Sequence, residues 1–112
     1  MNNDLLKKKC KSCEEKTKPF SKEESLSYLN QIEGWVINDE ATQISKEFKF
    51  ADFIGAINFV NLVADIAEME GHHPDIYISY NKVKLNLYTH SISGLSENDF
   101  ILAAKINAHA RK

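Results

Sequence analysis

Apolar residues along the chain follow two repeats, one near 3.6 residues and one of two, and the switches between them divide it into seven elements. Ser21 followed by Glu23 and Glu24 reads as a helix start, with Leu26, Leu29 and Ile32 as its apolar face and Gly34 as its stop. Trp35-Val36-Ile37, and then Gln43 to Phe50 with Ile44, Phe48 and Phe50 at even spacing, predict two antiparallel strands joined by a polar turn at Asn38-Asp39. The strongest helical signal runs from about Ala51 to Glu70, where Phe53, Ile57, Val60, Ala64 and Ala67 recur at helical spacing and Gly71 ends the run. Ile76, Ile78 and Tyr80 alternate, Asn81-Lys82 turns the chain, and Val83, Leu85 and Leu87 alternate again toward Thr89. Ser96, with Glu97 and Asp99 behind it, opens a last helix that turns Phe100, Ala103, Ala104 and Ile106 inward and places Arg111 and Lys112 at its end.

The order αββαββα predicts an α+β fold, a four-stranded antiparallel sheet with three helices on one face. In so small a unit the sheet edges stay open and helix surface is left over, so self-association is expected. Phe48, Phe50, Phe53 and Phe59 stand at periodic positions and are expected to pack in the core.

Length adds a bound: 112 residues suffice for one domain with its own core and not for two of ordinary size. Charge adds a division. Residues 1–19 carry six lysines against three acids, whereas the remainder carries eight basic residues against thirteen acidic ones. The first stretch has too few apolar residues to offset the entropy of ordering it, so residues 1–19 are expected to form a partly mobile basic extension to a domain of residues 20–112. With a net charge of −2, no global field favours nucleic acid or an anionic membrane. No apolar run approaches the ~20 residues needed to span a bilayer, nor does the start resemble a signal peptide, and a cytoplasmic protein is expected. Cys10 and Cys13, the only cysteines, do not make a disulfide framework, and no second ligand pair follows that would complete a zinc site.

Three of the four histidines fall at element junctions. His72 and His73 follow the long helix, and His90 follows the fourth strand, while His109 in the last helix reads as a surface residue. Pro74 biases His73 to an extended conformation, so the corner is held and the adjacent rings point apart with different tasks. Glu68 precedes His72 by four residues, the spacing of one helical face, and a carboxylate with a helix end beside it makes His72 a natural proton donor. If strand pairing brings His90 opposite, two imidazoles form an acid/base pair that needs no metal. Adjacent histidines that point apart are poor zinc ligands.

The segments Ala67-Glu-Met-Glu-Gly-His-His-Pro-Asp75, Tyr80-Asn-Lys-Val83, Leu87-Tyr-Thr-His90 and Gly94-Leu-Ser-Glu-Asn-Asp-Phe100 together resemble the pterin-4a-carbinolamine dehydratases, from about Gly34 to the last helix. The resemblance implies dehydration of 4a-hydroxytetrahydrobiopterin to quinonoid dihydropterin and water, which recycles the pterin of aromatic amino-acid hydroxylases and links the protein to phenylalanine hydroxylase. It also implies catalysis by His72, His90 and Glu68, pterin binding by His73, Pro74 and Asp99, no metal, no cofactor beyond the pterin substrate, and a homodimer or homotetramer. Gly71, Ile76 and Asn98 stand where animal members of the family tend to carry Asp, Trp and Arg. The alternative is a non-catalytic dimerisation or transcriptional coactivator-type module, which would use helix and sheet-edge surfaces only. A metal-dependent hydrolase on the same histidines is a third possibility, one that a chelator would inactivate.

Overall fold

The computed structural model describes Leu5 and residues 18–110. Cys10, Cys13, Arg111 and Lys112 lie outside the described residues, as does the basic extension apart from Leu5, Lys18 and Pro19. Leu5 itself is buried in the core.

The elements are α1 (Lys22–Leu29), β1 (Val36–Ile37), β2 (Ile44–Lys49), α2 (Phe53–Glu70), β3 (Asp75–Ser79), β4 (Lys82–Leu87), a 3₁₀ turn (His90–Ile92) and α3 (Glu97–Ala110). The four strands form one antiparallel sheet in the order β1-β2-β4-β3, giving the αββαββα order and the α+β class. Ile44 lies opposite Leu87, Phe48 opposite Val83, and Ile76 opposite Leu85. Strand alternation thus gathers the apolar side chains on one face, where the helices cover them. Ser45, Glu47, Lys49, Lys82 and Lys84 occupy the alternate positions on the polar face.

The ends of α1 and α2 follow from local hydrogen bonding. Ser21 and Glu24 cap α1 reciprocally, each side chain bonding the other's backbone N–H. The helix ends at Leu29, earlier than the Gly34 stop expected from sequence, and its chain turns through residues 30–34 before Trp35. Phe20, Tyr28 and Phe100 form a ring cluster with centroids 5.0 to 6.0 Å apart, which docks α1 against the start of α3. Asp52 caps α2 by accepting from the Gly55 N–H at 2.8 Å.

Helix α2 is rotated from the face that sequence periodicity singled out. Its buried side chains are Ala56, Phe59, Val63, Ile66 and Ala67, while Phe53 and Ala64 are exposed. The helix carries two apolar stripes, and the one holding Phe59 wins because that ring meets Phe48 of β2 and Phe50 just after it, at 4.6 and 5.0 Å between centroids. The expectation of a buried Phe53 is therefore corrected.

Lys46 is the one charged residue of β2 on the inner face, where two acceptors and an aromatic ring surround its ammonium. Its Nζ donates to the Glu33 carbonyl and to Asn107 Oδ1, both at 3.0 Å, and lies 4.8 Å from the Phe48 ring centroid. Asn107 Oδ1 also accepts from Trp35 Nε1, while its Nδ2 donates to the Glu33 carbonyl. One amide thus ties the first hairpin to the far end of α3.

Candidate active site

Three chain segments meet at the junctions. The first is the end of α2, where Gly71 adopts the left-handed conformation at φ 67 and reverses the chain. Only after that turn does His72 leave the helix, and Pro74 then leads into β3. The second is the end of β4. The strand stops at Leu87, and Thr89 pairs its backbone with Gly94 around the 3₁₀ turn that begins at His90. The third is the start of α3, with Ser96 immediately before it and Asp99 in its first turn.

A buried carboxylate joins these segments. Asp99 is fully buried, and its Oδ1 stands 2.6 Å from Nε2 of His72, whose side chain is 12% exposed. Its other oxygen, Oδ2, accepts from Thr89 Oγ1 at 2.8 Å and from the Ser96 N–H at 3.0 Å. Thr89 Oγ1 and Ser96 Oγ lie 2.8 Å apart. His90 is the next residue after Thr89 and is exposed, with its ring centroid 4.2 Å from that of Tyr88.

His73 faces elsewhere. Its Nε2 lies 2.6 Å from Glu68 Oε2, and these side chains are 58% and 77% exposed. The pairing expected between Glu68 and His72 is thereby corrected: Glu68 holds His73, and Asp99 holds His72. The reason is the left-handed turn at Gly71, which takes His72 off the helical face that a four-residue spacing assumes. The expected divergence of the two rings is seen, each on its own carboxylate.

Sequence reasoning gave Ser96 only as a helix start and Thr89 only as a strand end, neither as a site residue. Their signal was present all the same. Ser96 and Asp99 have the spacing of a reciprocal cap, and Thr89 directly precedes a junction histidine. Among the described residues no group of three or more His, Cys, Asp or Glu side chains is placed to hold a metal ion. Nor, among them, is any helix long and apolar enough to cross a membrane.

His72 and His73 each bond a carboxylate, an arrangement suited to proton exchange at imidazole. Comparison with known proteins narrows the chemistry. The family model for pterin 4 alpha carbinolamine dehydratase matches residues 18–109. A protein of Alkaliphilus metalliredigens named for this dehydratase is 47% identical over 107 residues, covering 94% of this chain and 95% of that one. Pterin-4-alpha-carbinolamine dehydratase 2, mitochondrial, of Arabidopsis thaliana is 43% identical over 108 residues, covering 93% of this chain and 58% of that one. A solved structure from Brucella melitensis, described as a transcriptional coactivator/pterin dehydratase, superposes with a TM-score of 0.76 at 37% identity, over 80% of this chain and 96% of that one. A pterin dehydratase-like RuBisCO assembly factor of the alpha-carboxysome shares the fold, with a TM-score of 0.60 at 24% identity. With the family model matching residues 18–109 and a relative 47% identical over most of both chains, this chain belongs to the pterin-4a-carbinolamine dehydratase family.

Proposed function

We propose that the protein dehydrates 4a-hydroxytetrahydrobiopterin by histidine acid/base catalysis. In this elimination the C–O bond of the carbinolamine breaks and its oxygen leaves as water after taking one proton. The neighbouring ring nitrogen supplies the electron pair for the new C=N bond and gives up its own proton. One proton enters and one departs, so a donor and an acceptor of imidazole strength suffice.

The observation that carries the proposal is the buried Asp99, which holds His72 beside the corner that bears His90. His72 and His90 act as the acid/base pair. The exposed His73–Glu68 pair, in a corner stiffened by Pro74, contacts the pterin ring, and Asp99 acts through His72. The product would return to an aromatic amino-acid hydroxylase, phenylalanine hydroxylase being the expected one, in the cytoplasm.

Self-association is part of the same proposal. Phe53 and Ile54 on α2, and Tyr77 and Ile78 on the β3 edge, are large apolar or aromatic side chains left exposed. They supply surfaces for a homodimer or homotetramer.

The test is a carbinolamine dehydration assay on wild type, His72→Ala and His90→Ala, with and without chelator. Each substitution is expected to lower the rate by roughly 10²- to 10⁴-fold, the usual worth of a positioned general acid or base. Chelator should change nothing. Wild-type protein that fails to exceed the uncatalysed rate would overturn the dehydratase assignment in favour of an interaction module. Loss of dehydration activity with chelator would overturn the metal-free mechanism.

A further inference from the structure

Asp99 has a second set of partners that the acid/base scheme leaves unused. Two donors converge on its Oδ2: the Thr89 hydroxyl at 2.8 Å and the Ser96 N–H at 3.0 Å. A threonine hydroxyl has one proton. Because Thr89 spends it on Asp99, the 2.8 Å contact with Ser96 must run the other way, from the Ser96 hydroxyl to Thr89 Oγ1. The hydrogen bonds therefore have one direction, from Ser96 to Thr89 to Asp99. At the far end the carboxylate acts as acceptor, and its Oδ1 faces His72 Nε2 at 2.6 Å. An acceptor there requires a proton on Nε2.

We propose that Thr89 and Ser96 are positioning residues that hold Asp99 as a pure acceptor, fix neutral His72 as its Nε2–H tautomer, and leave Nδ1 as the nitrogen that exchanges a proton with substrate. The assignment of Nδ1 rests on His72 acting as an acid or base, as argued above. The tautomer does not. It follows from hydrogen bonding alone, and can be read in the absence of substrate.

Asp99 and Ser96 also cap α3, so a loss of activity on deleting either could reflect folding alone. Two substitutions avoid that difficulty. Asp99→Asn keeps an oxygen for the Thr89 hydroxyl and the Ser96 N–H while turning an N–H donor toward His72. Thr89→Val keeps shape but removes the hydroxyl, and Thr89 lies outside α3 with its backbone paired to Gly94.

The measurement is long-range ¹H–¹⁵N correlation on ¹⁵N-histidine-labelled full-length protein, at about pH 9, well above the ordinary histidine range. Wild type is expected to show His72 protonated on Nε2, and Asp99→Asn to show it protonated on Nδ1. In the dehydration assay, Asp99→Asn should lose about 10²- to 10⁴-fold in kcat with KM changed by less than about threefold. Thr89→Val should lose about tenfold in kcat, and Thr89→Ser should restore it. An Nδ1–H tautomer in wild type, or a Thr89→Val kcat equal to wild type in a protein that shows dehydratase activity, would overturn the proposal. A wild type with the Nε2–H tautomer but no dehydratase activity would support the positioning role and overturn the proposed reaction.

Discussion

Two adjacent imidazoles with separate carboxylates set up an unequal division of labour. The His73–Glu68 pair is mostly in water, where an ion pair contributes little to stability. Glu68→Gln is therefore expected to change unfolding free energy by less than about 0.5 kcal/mol while raising KM, a split that denaturation and steady-state kinetics would resolve together. Gly71 and Gly94 matter for different reasons. A Cβ on Gly71 meets nothing within 4 Å, so Gly71→Ala suffers only the cost of a left-handed residue, about 1 kcal/mol. A Cβ on Gly94 would come within 2.6 Å of the Pro19 Cβ, so Gly94→Ala must move the segment whose Phe20 N–H bonds the Leu95 carbonyl. Thermal melting should rank Gly94→Ala as the more damaging of the two. The histidines and Glu68 were legible as candidates from residue type and spacing, and Asp99 through the family resemblance. Their pairing was not, because an assumed helical spacing cannot foresee a left-handed turn.

Elements were legible wherever local chemistry decides them. Ser21 with Glu24, Gly71 after a long apolar repeat, and the alternation of Val83, Leu85 and Leu87 each encode a boundary or a face in a few adjacent residues. What failed was the choice between two apolar stripes on α2, which depends on where β2 and the residue after it set Phe48 and Phe50. The stripe left over, with Phe53 and Ile54 exposed, gives an expectation at this scale. Ile54→Lys should leave the melting temperature within a few degrees but shift sedimentation toward smaller species if α2 makes the subunit contact. An unchanged sedimentation coefficient would move that contact elsewhere. The short β1 pairs with β2 and is tied to α3 through Trp35 and Asn107, so Trp35→Phe is expected to cost on the order of 1 kcal/mol through the lost indole hydrogen bond, measurable by urea unfolding.

At the scale of the molecule, the site is assembled from three ends: of α2, of β4, and the beginning of α3. Reaction by one imidazole donor and one acceptor implies a rate that falls at both pH extremes. On the acid side the acceptor is already protonated; on the alkaline side the donor has lost its proton. A bell-shaped profile of kcat/KM is expected, its apparent constants belonging to the coupled pair, and a flat profile between pH 5 and 9 with chemistry rate-limiting would contradict it.

The division between sequence and tertiary structure now has a physical basis. Periodicity, capping residues and turn residues act within a few positions of one another, so the seven elements, the α+β class and the candidate histidines could be read from the chain. A hydrogen bond between His72 and Asp99 joins residues 27 positions apart, and the Thr89 bond to the same carboxylate joins a strand end to a helix start. Which carboxylate each imidazole receives, which stripe of α2 is buried, and which way the Ser96–Thr89–Asp99 hydrogen bonds run were decided only when the sheet and helices packed together.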